Sequence, residues 1–315
     1  MNDLGSSNKK EMTAILIMGL FFVLIHGAAL FLLTPFESSE AIQPAFEDPD
    51  NPTNIAYIFV IMLSFTALIL LIAKFWKKQV IHFIILFAIG YTMFYAFFLP
   101  FYEILLPFNF LALLVLSVLS ALFIVILLYK YPEWYIIDLT GILVGTSAII
   151  IFGMSLSVFL VILLLIGLAV YDAISVYKTK HMVDLADTVM DLKLPVLLVV
   201  PKIREYSLIK ETRRLKDQIK EKEDRDAFFM GLGDIVMPGI LVVAVYYSVP
   251  DAFWVSIGTM LGTLFGFSLL MRYVIKGNPQ AGLPLLCGGA ITGYVISSLL
   301  LFGELIGLTI PALPF

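Results

Sequence analysis

Two aspartates carry the most informative chemistry in this chain. Asp172 lies in Leu168-Ala169-Val170-Tyr171-Asp172-Ala173, and Asp234 closes Gly231-Leu232-Gly233-Asp234. A carboxylate at the centre of a membrane-spanning helix costs about 2.5–3.5 kcal/mol on insertion scales, so a chain that keeps one usually has a use for it. Two carboxylates at contact distance do not both ionise cheaply; one holds a proton while the other serves as base. Such a pair can activate a water and protonate a departing amide nitrogen, which is peptide hydrolysis by general acid–base catalysis with no covalent intermediate. The titration belongs to the pair, so neither residue is assigned as acid or base. A proton relay, an ion channel or a cation carrier would use the same two residues, and spacing alone leaves those readings open.

Positioning this pair requires a bilayer. The 315 residues are 61% apolar and 14% charged, with a mean hydropathy of +1.00, whereas soluble domains run nearer a quarter charged. A spanning helix needs about 20 mostly apolar residues. Nine segments come close, near 12–34, 55–73, 80–99, 107–129, 135–153, 156–177, 228–247, 252–271 and 284–308. They are continuous apolar runs rather than short alternating ones, which favours helices over a closed barrel. The expected fold is therefore all-α: a polytopic membrane protein with nine transmembrane helices. The first run lacks a small-residue cleavage site and is read as a retained helix.

Basic residues set the expected orientation. With the N-terminus in the cytoplasm, Lys9, Lys10, Lys74, Lys77, Lys78, Lys130, Arg272, Lys276 and the twelve basic residues between Lys178 and Arg225 all fall inside. Glu37, Glu40, Glu47, Asp48, Asp50, Glu103 and Asp251 fall outside with no Lys or Arg, and the C-terminus ends outside. A wrong helix count between basic loops would scatter these charges. Helices six and seven are then antiparallel neighbours. Asp172 lies six residues, about 9 Å of helix rise, from Lys178; Asp234 lies eight residues, about 12 Å, from Asp226. Both carboxylates reach a similar depth near the cytoplasmic side, and Gly231 and Gly233 are expected to let the helices approach closely. The chain divides into a membrane part over 1–177, a cytoplasmic loop over 178–227 and a second membrane part over 228–315. The loop holds an apolar stretch from Leu194 to Val200, closed by Pro201, and then a mostly charged run that is expected to be mobile and solvated.

Tyr171-Asp172 and Gly231-Leu232-Gly233-Asp234 resemble the two signatures of the presenilin and signal peptide peptidase family, the intramembrane Gly-x-Gly-Asp aspartyl proteases. A third signature, Pro-Ala-Leu at the inner start of the ninth helix, has its counterpart in Pro284-Leu285-Leu286, with Leu285 in place of alanine. A literal Pro311-Ala312-Leu313 lies past the ninth helix, on the other side from the aspartates, and is rejected on topology. Tyr131-Pro132-Glu133-Trp134 and the run from Gly277 to Pro284 are most similar to the archaeal presenilin homologues. The resemblance implies a single-chain protease of the cell membrane that cleaves within transmembrane-helix protein substrates. It implies Asp172 and Asp234 as catalytic residues. Tyr171 is expected to pack beside the pair, Gly231, Leu232 and Gly233 to shape its surroundings, and Pro284, Leu285 and Leu286 to form a partly extended, substrate-facing segment, with Pro284 also readable as a helix-start proline. Obligate partner subunits are not implied, and homo-oligomers stay open.

Other chemistries fare worse. The net charge of −4 gives no hint of nucleic acid, and the single Cys287 allows no intrachain disulfide. His26, His82 and His181 form no His-Glu-x-x-His set, so no metal is expected, and no cofactor. His26 reads as a packed polar residue in helix one. Gly145-Thr146-Ser147 and Gly153-Met154-Ser155 lack the following glycine of a serine nucleophile loop. Asp138 is the best further candidate for coupling to the pair, although an interfacial residue reaching water is the simpler reading.

Overall fold

A computed structural model describes residues 2–38, 44–46, 48–75, 78–105, 109–179, 196–203, 206–208, 227–275 and 280–308. Among the described residues there are nine α-helices: α1 (Asn2–Ser38), α2 (Thr53–Phe75), α3 (Lys78–Leu105), α4 (Phe110–Lys130), α5 (Trp134–Ser155), α6 (Val158–Ile174), α7 (Leu232–Ser248), α8 (Phe253–Val274) and α9 (Leu283–Phe302). Two strands, β1 (Leu197–Pro201) and β2 (Ala227–Gly231), pair antiparallel between α6 and α7. Among the described residues seven helices are long and apolar enough to cross a membrane; Thr53–Phe65 and α7 are shorter apolar helices. The exterior is apolar as well. Phe31, Phe87 and Leu300 are each about four-fifths exposed, a surface that hydrocarbon solvates and water does not.

The expected all-α class needs one correction, and it bears on the site. Residues 228–231 do not begin the seventh helix; they belong to β2 and pair with the apolar stretch that sequence placed in a linker. Leu197-Leu198-Val199-Val200 is short, rich in β-branched residues and bounded by proline, a pattern compatible with a buried strand. Its partner, Ala227-Phe228-Phe229-Met230-Gly231, lies too far along the chain to be inferred from periodicity. The division at 228 therefore cuts a strand, and residues 196–203 and 206–208 of the loop are anchored. Val199 and Val200 are buried. Lys202 bridges to Glu11 of α1 at 3.1 Å, and Glu133 at the start of α5 accepts from Ser207 Oγ at 2.6 Å and the Leu208 N–H at 3.1 Å. The charged run over 209–226 and Pro311-Ala312-Leu313 lie outside the described residues.

Spending five residues on β2 leaves α7 with 17, about 26 Å of rise against a hydrocarbon core near 30 Å. α7 is the centre of the bundle. It packs against α1, α5, α6, α8 and α9, and its residues from Pro238 to Val245 are all buried. A helix that is apolar all round belongs in a protein core or in lipid, and α7 takes the first place. Glycines on α5 create the room. A Cβ on Gly145 would stand 3.1 Å from Leu232 Cδ1, and one on Gly153 would stand 2.6 Å from Val243 Cγ1. Gly145 and Gly153 thus belong to a helix–helix seam. Ser147 and Ser155, which follow them, bond to their own helix carbonyls at Leu143 and Ile151.

Candidate active site

Asp172 occupies the last turn of α6. The helix widens directly after it into a π-helical turn, Ser175–Thr179, and such turns recur at functional sites. Asp172 is 3% exposed. It finds a partner in α9, whose first amides have no donor role inside their own helix. The Leu283 N–H donates to Asp172 Oδ2 at 3.1 Å, with the Gly282 amide facing the same carboxylate. A side chain of α6 thus caps the start of α9.

Asp234 stands in the first turn of α7, two residues beyond Leu232, and is partly exposed. Its carboxylate lies beside the same piece of α9. A Cβ on Gly282 would come within 3.2 Å of Asp234 Oδ2, and one on Gly231 within 3.3 Å. The two carboxylates therefore converge on Gly282 and Leu283, close enough for their charges to act on each other. Buried Cys287, one turn into α9, lies within electrostatic reach of both.

The remaining sequence-derived residues sort by position. Leu232 is buried against Gly141 and Gly145 of α5, which anchors the start of α7. Gly231 is the N-cap of α7, where strand becomes helix. Gly233 has open space where a Cβ would stand, so it does not serve close packing as expected. Tyr171 is about half exposed rather than packed beside the pair. Pro284 occupies the first turn of α9, where a missing N–H costs nothing, and Leu283 through Leu286 are helical. Of the two readings of Pro284, the structure shows the helix-start proline, and the extended backbone is not seen over Leu283–Leu286. Leu286 is buried, and the carbonyl of Leu285 lies against Gly266 of α8.

Three residues contribute more than the sequence reading gave them. Gly282 is the small residue that makes room for the Asp234 carboxylate, although nothing but its place near Pro284 marks it. His26 is packed, as expected, but it also reaches the site's helix: its Nε2 lies 2.9 Å from the Ile235 carbonyl, one residue past Asp234. Gly239 makes room, since a Cβ there would sit 2.8 Å from the imidazole. Pro238 supplies no N–H to the Asp234 carbonyl four residues back, so this turn relies more on His26. Replacing His26 with Leu is expected to lower stability by about 1 kcal/mol, read by thermal unfolding in detergent; an unchanged midpoint would show the bond to be dispensable. Asp138 is the third. It is buried among protein side chains rather than reaching water, and its Oδ1 accepts the Val199 N–H at 2.8 Å.

Comparison with known proteins bears on the chain as a whole. The model of the family described as signal-peptide peptidase, presenilin aspartyl protease, matches residues 18–303. Two solved structures of a presenilin family intramembrane aspartate protease are similar. The one in space group C222 shares 30% identity at a TM-score of 0.65, covering 90% of this chain and 97% of that one. The one in space group P2 shares 32% identity at a TM-score of 0.66, covering 90% and 96%. A search of curated proteins finds no match. A match that takes in both aspartates and nearly all nine helices decides between the protease and carrier readings: the chain belongs to the signal-peptide peptidase and presenilin family and is an intramembrane aspartyl protease.

Proposed function

We propose that Asp172 and Asp234 together hydrolyse peptide bonds inside the transmembrane helices of membrane-protein substrates, near the cytoplasmic side of the cell membrane. The observation that carries this reading is the convergence of both carboxylates on Gly282 and Leu283. The ionised member takes a proton from water as the water oxygen bonds to the scissile carbonyl carbon. The protonated member delivers its proton to the substrate, first supporting the carbonyl oxygen and then the departing nitrogen. The C–N bond breaks, leaving a carboxyl end and an amine end, and the pair returns to one shared proton. No metal or cofactor takes part, and the chain acts without obligate partner subunits. The N-terminus is cytoplasmic and the C-terminus outside, which gathers the basic loops on the side of the aspartates.

A substrate helix must unwind before its peptide bonds are accessible. An extended segment gains backbone hydrogen bonds by joining a sheet edge, and the β1–β2 pair runs directly into Gly231 and the first turn of α7. The test is cleavage of a fluorogenic transmembrane peptide by the purified protein. Loss of signal under a transition-state analogue with a hydroxyl at the scissile position supports the proposal. Ion flux without cleavage would instead make the pair a cation site.

A further inference from the structure

Asp138 is a third carboxylate buried among membrane helices, at 4% exposure on α5, and hydrolysis by the pair makes no use of it. One of its oxygens accepts the Val199 N–H at 2.8 Å; the other has no hydrogen-bond partner among the described residues. The strand register defines what that single bond holds. The Leu232 N–H donates to the Val196 carbonyl, so this rung is hydrogen-bonded between the strands. Rungs alternate in an antiparallel pair. With Leu198 opposite Met230 and Val200 opposite Phe228, these pairs are bonded across the sheet. Leu197, Val199 and Pro201 then turn their backbone groups away from β2. Asp138 therefore grips the outer edge of β1. At the next outward position Pro201 has no N–H to offer. On this edge one amide is taken and the following one is missing, which is how natural sheets close an edge against unwanted strands. On its other side β1 is bonded to β2, and β2 runs through Gly231 into the turn that carries Asp234.

We propose that Asp138 is a positioning residue. By bonding the outer edge of β1 it fixes the sheet to α5, so that β2 presents a constant edge to an extended substrate. This rests on the reading that substrates are held in an extended form beside the sheet. Asparagine retains the oxygen that Val199 needs, whereas leucine fills the space without it, and Val199→Pro removes the donor instead.

In the detergent-purified protein, Asp138→Leu and Val199→Pro are each expected to raise KM for a transmembrane peptide about tenfold or more, with kcat within about threefold. Asp138→Asn stays near the parent, and the double variant Asp138→Leu/Val199→Pro is no worse than either single change. Rescue by asparagine and non-additivity are outcomes that a general loss of stability does not produce. The proposal is overturned if Asp138→Leu cleaves like the parent, if Asp138→Asn is as impaired as Asp138→Leu, if the two defects add, or if kcat falls while KM is unchanged. Should Val199→Pro fail to fold, the comparison of Asn with Leu at position 138 decides alone. Failure of the underlying protease reading is seen separately, as cleavage that persists when Asp172 and Asp234 are replaced.

Discussion

Asp172→Asn and Asp234→Asn are each expected to abolish cleavage, a loss on the order of a thousandfold or more, while leaving the fold intact. Asparagine matches aspartate in size and keeps an acceptor oxygen. At position 172 it can still take the Leu283 N–H that caps α9, so the bundle keeps this tie. What disappears is the proton that the pair shares. An amide neither takes a proton from water nor delivers one to a departing nitrogen, and the surviving carboxylate performs only half of the cycle. The parent enzyme should show a bell-shaped pH dependence of kcat/KM. Activity falls on the acid side when both members are protonated and no base remains, and on the alkaline side when both are ionised and no acid remains. The check is peptide cleavage by each purified variant beside its thermal unfolding profile. Full cleavage by both single variants would dismiss the pair as the catalytic group.

The second large effect lies away from the chemistry. α8 and α9 touch backbone to backbone along glycines: Gly258, Gly262 and Gly266 on one helix meet Gly293, Gly289 and Leu285 on the other. A Cβ on Gly262 would collide with the Gly289 carbonyl and approach the Gly293 Cα to 2.7 Å. Backbone cannot rotate aside as a side chain can. Gly262→Leu must therefore push the helices apart, at a cost of about 3 kcal/mol or more. In lipid, helices are held together by close van der Waals contact rather than by the hydrophobic effect, so separation forfeits the attraction itself. α9 carries Gly282 and Leu283 to the carboxylates, so the same variant should also lose most of its cleavage activity. Thermal unfolding and peptide cleavage of Gly262→Leu measure both. Gly288→Leu is the control, because a Cβ there meets nothing within 4 Å. Equal stability of the two variants would refute the argument.

Much of this protein could be read before any fold was known. Lipid removes water as a hydrogen-bond partner, so each spanning segment must satisfy its own backbone as a helix; composition alone then locates the segments that became the nine helices. The same solvent makes buried carboxylates costly, which is why Asp172 and Asp234 stood out without an alignment. Contacts between segments distant in the chain were beyond reach. β1 looked like part of a linker because a strand is defined by its partner, and β2 lies some 30 residues further on. Pro284 kept two readings open, because a proline is compatible with a helix start as well as with a break, and only the neighbouring capping interaction, Leu283 to Asp172, decides which. Gly233 and Gly282 are alike as letters; the distances around them give one open space and the other the carboxylate of Asp234. Residue type and hydropathy thus determined which groups the bilayer would tolerate only for a purpose. Tertiary packing decided which of them meet, because proximity between distant residues is a property of the assembled bundle and not of any one segment.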